Sequence, residues 1–126
     1  MTADQEMTRE DRLTVAARIV ELSDEILSTD ENPQYIALKI ASGPNSNAVT
    51  VWSDHVSFFI RSTALLDKAR ADGFEPIQVK STTPRNQDKY QFPRLSLNQI
   101  LTHEALFREI VQESMRTIMD RRPKKK

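Results

Sequence analysis

Gln34-Tyr35-Ile36-Ala37-Leu38-Lys39-Ile40-Ala41, then Ser42-Gly43-Pro44-Asn45-Ser46-Asn47, then Ala48-Val49-Thr50-Val51-Trp52: this stretch decides the fold class. Its two flanks alternate apolar and polar side chains with the period of two that a pleated strand requires, and both are rich in β-branched residues. The middle segment is made of residues that favour turns. The reading is a β-hairpin, with Ile36, Leu38, Ile40, Val49 and Val51 on one side and Tyr35, Lys39, Thr50 and Trp52 on the other.

Upstream of the hairpin, Thr8 is placed to cap a helix with acids in its first turn. Val15, Ile19, Leu22 and Ile26 recur at helical spacing, so a helix is expected from about residue 9 to 28, ended by Asn32-Pro33. Downstream, Ser53 or Asp54 can cap a second helix whose apolar positions are Val56, Phe59, Ile60, Thr63, Leu66 and Ala69. Asp72-Gly73-Phe74 supplies its glycine stop. The pattern then repeats in outline. Pro76–Lys80 forms a short strand, Ser81–Asp88 a polar loop, and Lys89–Phe92 a second strand closed by Pro93. Ser96–Leu101 makes a helical turn, and Thr102 caps a long helix to about residue 120.

The expected architecture is α+β in the order α-ββ-α-ββ-α, with a four-stranded, mostly antiparallel sheet packed against helices. Residues 8–120 would form the single domain, residues 1–7 a disordered N-terminus and 121–126 a basic disordered tail. Ile77 and Val79 join the hairpin's apolar side against the helical layer, with Gln78 and Lys80 on the opposite face. With three helices for one sheet, the expectation is that the first helix covers that opposite face and makes Tyr35 and Trp52 ordinary core. An uncovered face would instead carry Tyr35, Trp52, Lys39 and Lys80 as a stacking platform for single-stranded nucleic acid. The wide apolar stripes of the first and last helices either pair with each other or make a homodimer interface, and a homodimer is expected.

Charge narrows the partner class. The chain holds 18 basic and 18 acidic residues, yet residues 1–33 carry a net of −6. The compensating excess sits in two places, +3 in residues 80–94 and +4 in residues 120–126. Lys80, Arg85, Lys89 and Arg94, with Tyr90 among them, and the tail cations Arg121, Arg122, Lys124, Lys125 and Lys126 are therefore the candidate nucleic-acid contacts, with Trp52 or Tyr90 as stacking groups. The competing reading of the hairpin is a solvated turn with Tyr90 and Phe92 in the core.

Other chemistry is excluded or weakly signalled. Cysteine is absent, which removes disulfides, thiolate nucleophiles and Cys-ligated zinc. Two glycines leave no Gly-rich phosphate loop. His55 and His103 lack metal-ligand spacing and read as surface or capping residues, so neither metal nor cofactor is expected. No apolar run approaches the roughly 20 residues of a membrane helix, and the acidic N-terminus is unlike a secretory signal, so the expected location is cytoplasmic, or nuclear in a eukaryote. Ile77-Gln78-Val79-Lys80, with Asp54 or Asp67 upstream, resembles the Asp…(Glu/Asp/Gln)-x-Lys signature of the PD-(D/E)xK nucleases, with Gln78 in place of the second acid. That resemblance implies a Mg²⁺-dependent nuclease. The order of elements resembles that of small α/β secretion chaperones, which are dimeric and bind unfolded partner segments.

The leading expectation is a small, non-enzymatic binding or regulatory protein that meets nucleic acid. Its rival is an adaptor, inhibitor or chaperone-like module that meets an acidic or other protein partner through the apolar faces of the terminal helices.

Overall fold

The hairpin forms as expected. In the computed structural model, which describes residues 7–23, 27–41, 47–80 and 87–120, strands β2 (Tyr35–Ile40) and β3 (Asn47–Trp52) pair antiparallel with Ile36 opposite Val51 and Leu38 opposite Val49. A bulge between Leu38 and Lys39 shifts the register, bringing Asn47 opposite Lys39 and leaving Ala48 in the core. The hairpin's loop lies outside the described residues.

The full order is α1 (Arg9–Leu22), β1 (Leu27–Glu31), β2, β3, β4 (His55–Phe59), α2 (Thr63–Ala71), β5 (Ile77–Gln78), β6 (Lys89–Pro93), α3 (Leu97–Thr102) and α4 (Glu104–Met119). The class is α+β. One six-stranded antiparallel sheet, ordered β1-β2-β3-β4-β6-β5, packs against four helices. Two strands therefore lie where the sequence reads helix. The first helix stops at Leu22, and Leu27–Glu31 pairs along β2 from Leu27 opposite Ile40 to Glu31 opposite Ile36. Ser53-Asp54 does not cap a helix but makes the two-residue connection of a second hairpin, with Val56 opposite Val51 and Phe58 opposite Val49. The reason lies in Val56-Ser57-Phe58-Phe59, a β-branched and aromatic run that suits a pleated sheet better than a helix.

Helix termini follow local chemistry closely. Thr8 and Asp11 form a reciprocal capping box at the start of α1, with Thr8 Oγ1 accepting from Asp11 N at 3.1 Å and Asp11 Oδ2 accepting from Thr8 N at 3.0 Å. Ser62 caps α2, and Ser96 with Gln99 makes a second capping box on α3. α4 begins at Glu104, and its cap residue, His103, makes no side-chain capping bond, so Thr102 is the last residue of α3 and not the cap of α4. At the end of α2, Gly73 adopts φ 96°, its N–H donates to Arg70 O, and Phe74 N–H donates to Ala69 O. These are the paired bonds of a Schellman stop, which needs the left-handed conformation glycine adopts without strain.

The four helices form one layer on one face. α1 and α4 touch each other and both touch β3; α2 and α3 touch α4. Val15, Ala16, Ile19 and Leu22 of α1 and Phe107, Ile110, Val111 and Ile118 of α4 are buried in one cluster with Ile36, Leu38, Val49, Val51, Val56 and Phe58. The wide apolar stripes of α1 and α4 are consumed in this way. α1 thus shares the α4 side of the sheet and does not cover the opposite face, contrary to the expectation. Two buried polar groups tie the layer to the strands. Ser114 Oγ accepts from Phe59 N at 2.9 Å and donates to Ala48 O at 2.6 Å. Glu113 Oε2 accepts from Arg61 N and Ser62 N, fixing the start of α2.

The last hairpin differs from expectation in register. β5 is two residues long, and Ile77 lies opposite Gln91, which puts Ile77 on the helix-free face, 53% exposed. Gln78 falls on the helix side opposite Tyr90. A two-residue edge strand carries too little buried surface for its apolar pattern to choose its face.

Candidate nucleic-acid interface

The helix-free face is built by the residues that alternate with the core. Because Ile36, Val51, Val56 and Phe92 point into the helical layer, the cross-strand pairs between them set three rows on the other side. One row is aromatic. Tyr35 lies opposite Trp52 with ring centroids 4.6 Å apart, and Trp52 stacks on His55 at 5.8 Å with 20° between planes. His55 Nδ1 is 2.8 Å from Asp54 Oδ1, which orients the imidazole, and Pro93 continues the row on β6.

The middle row runs across all six strands: Asp30, Ala37, Thr50, Ser57, Gln91 and Ile77. At its centre stand small side chains, and Ala37, Thr50 and Ser57 are buried although no described helix lies over them. The third row holds Ser28, Lys39, Asn47, Phe59 and Lys89. Lys89 Nζ lies 5.9 Å from the Phe59 ring centroid, a cation–π approach. Burial pushes the Lys89 ammonium below its ordinary pKa, since desolvation disfavours the charged form. An anion docked against it would offset that desolvation. The result is a shallow trough with an aromatic wall, a small-residue floor and a wall bearing two lysines.

The charge pattern reinforces this placement. Among the described residues, Arg9, Arg18, Lys39, Arg61, Lys68, Arg70, Arg108 and Arg116 each reach a carboxylate. Arg12 donates to the carbonyls of Met7 and Pro33. Besides Arg12, the described cations left without a carboxylate are Lys80, Lys89 and Arg94, all on or beside the β5–β6 ribbon. Arg94, directly after β6, adopts φ 55°, and its N–H donates to Asp54 O at 2.8 Å, beside the aromatic row. The acids of α1 belong to the helical layer. On the trough itself Asp30 approaches Lys39 at 3.8 Å.

The sequence-selected residues therefore divide. Trp52 and Lys89 lie on the same face, two rows apart, and Lys80 and Arg94 lie past the ends of β5 and β6. Tyr90 does not join them: it shares the side of Phe92, packed against the core, so its ring is on the opposite face from Trp52. Arg85, Arg121, Arg122, Lys124, Lys125 and Lys126 lie outside the described residues. His55, Ser57 and Phe59 were missed because residues 54–60 read as helix, and Gln91 because it is neither a cation nor an aromatic within the basic segment 80–94. The alternation of Val56, Ser57 and Phe58 after a two-residue turn was the signal that pointed to the β4 residues.

The nuclease resemblance finds no support in placement. Asp54 bonds His55 at the Pro93 end of β6 while Lys80 lies past its Lys89 end, roughly 13 Å away along a strand of that length. Asp67 faces Arg70 on α2. No cluster of three metal-ligating side chains occurs among the described residues, and no helix among them is long and apolar enough to cross a membrane. Comparison with protein-family models, with curated proteins and with solved structures finds no match to this chain. Fold and trough together define a class only, an α+β chain with one helix-covered and one helix-free sheet face.

Proposed function

We propose that this protein is a small binding module that holds single-stranded nucleic acid across the helix-free face. The observation that carries the reading is that Lys89, without a carboxylate partner, lies on the face where Tyr35, Trp52 and His55 stack, with Lys80 and Arg94, likewise without one, beside the same β5–β6 ribbon. Unpaired bases offer π-faces to such an aromatic row, and phosphates answer the neighbouring cations, while a duplex hides its bases from a flat sheet. The neutral total charge fits this reading because the acids of α1 belong to the helical layer and most carboxylates in ion pairs lie away from the trough, Asp30 beside Lys39 being on it.

The test is binding of single- and double-stranded oligonucleotides across a salt series by the wild type, by Lys89→Ala and by a chain ending at Asp120. Single strands are expected to bind more tightly, with affinity falling as salt rises. Lys89→Ala should weaken binding to all sequences alike and lower the salt slope by about 0.7, the contribution of one phosphate contact on a single strand. The shortened chain should bind with a smaller slope. Absence of salt-dependent binding in the wild type sinks the reading, and loss of all binding with the tail would assign the folded surface another purpose.

A further inference from the structure

Ser57 is a polar group with an unfilled role. It is 2% exposed, and its Oγ has no hydrogen-bond partner. Among the described residues it is the one buried hydroxyl in that condition, the other unpartnered atoms being single Nε groups of Arg12 and Arg18, whose guanidinium ends are bonded elsewhere. A buried hydroxyl normally finds a partner, so an exception asks for a reason. Val56 and Phe58 are buried with the helical layer, and Phe58 lies 6.2 Å from Phe107 of α4. Strand alternation then aims Ser57 into the trough. Its cross-strand neighbours there are Thr50 and Gln91, and two residues along β4 on either side are His55 and Phe59.

We propose that Ser57 is a base-reading residue: its hydroxyl, with the Gln91 amide beside it, hydrogen-bonds the edge of a nucleobase stacked on the Trp52–His55 row. This inference rests on the single-strand reading above and adds sequence preference to it. The spacing suits the task, since the floor row lies roughly 6.6 Å from the aromatic row, within reach of a base that overlaps the indole. A serine hydroxyl is both donor and acceptor, and an amide offers both as well, so the pair distinguishes bases by the pattern on their edges. Gln91 is half-buried and has rotatable bonds, so it can yield to admit the base and then bond to it. Phosphate contacts carry no such information, which separates Ser57 from Lys89 in function.

The experiment compares oligo-dT, oligo-dC and oligo-dA affinities for the wild type, Ser57→Ala and Gln91→Ala, each with its thermal midpoint and salt slope. The wild type should discriminate among the three, and Ser57→Ala should flatten the ratio of best to worst affinity by about three- to tenfold, the worth of one hydrogen bond to a ligand edge. Its salt slope should equal that of the wild type. Its thermal midpoint should be unchanged or higher, because an unpartnered buried hydroxyl has been removed. Gln91→Ala, at a less buried position, should flatten the ratio as well. If the wild type binds single strands but shows no base preference, or if Ser57→Ala keeps that preference in full, the inference falls and the single-strand reading stands. If the wild type binds no oligonucleotide, both fall together.

Discussion

Phe107→Ala should lower the free energy of unfolding by about 3–5 kcal/mol, the usual cost of deleting a phenylalanine from a closed core. Phe107 is fully buried on α4 and is the hub of an aromatic cluster, with ring centroids 5.1 Å from Phe74, 5.7 Å from Phe92 and 6.2 Å from Phe58. Those partners come from the α2 stop, from β6 and from β4, so one side chain holds three separate parts of the chain against the sheet. Single domains are stable by about 5–15 kcal/mol, which makes this loss a large fraction of the total. Urea unfolding should show a lower midpoint at an unchanged slope. Leu101→Ala, at a side chain 45% exposed, serves as the comparison and should move stability by about 0.5 kcal/mol or less. A Phe107→Ala loss under about 1 kcal/mol would mean that the helical layer is not packed as described.

Much of this architecture was legible in the residues, and the exceptions have physical causes. Thr8, Gly73 and the Ile36–Val51 hairpin act through local rules of capping, handedness and alternation, which need no knowledge of the rest of the chain. The stretch 54–60 was misread because Val56, Phe59 and Ile60 also fit a helical period when Ser57 and Phe58 are ignored. A strand buried on both faces loses its alternation signal, and tertiary pairing with β3 and β6 decided the matter. β1 was misread for a different reason. Its Ser-Thr-Asp-Glu sequence has no apolar alternation, and an edge strand needs none, since pairing along β2 supplies its order. The residues of the candidate site were half legible. Charge arithmetic located Lys80, Lys89 and Arg94, and alternation located Trp52. The same alternation rule applied to Lys89-Tyr90-Gln91-Phe92 separates Tyr90 from its neighbouring lysine, because consecutive strand residues cannot share a face. Ser57 and His55 depended on the β4 strand and could not be found without it.

Trp52→Ala carries the largest expected effect on binding. Stacking of a base on an aromatic side chain contributes about 1–3 kcal/mol, so single-strand affinity should fall by roughly 5- to 150-fold. The salt slope should not change, because indole carries no charge and neutralises no phosphate. That combination distinguishes Trp52 from Lys89, whose loss should reduce the slope. Tyr90→Phe, on the helix side, should leave affinity as it was. Equal affinities for wild type and Trp52→Ala would remove the aromatic row from the interface.

Trp52 is the sole tryptophan of the chain, so intrinsic emission reports on the trough alone. Titration with a single-stranded oligonucleotide at low salt, followed by tryptophan emission and by anisotropy of a labelled strand together, addresses the helix-free face most directly. Saturable quenching of Trp52 that coincides with the anisotropy transition, and that moves to higher concentration as salt is raised, is the expected result. A full anisotropy transition with Trp52 emission unchanged, or no transition at low salt, would contradict it.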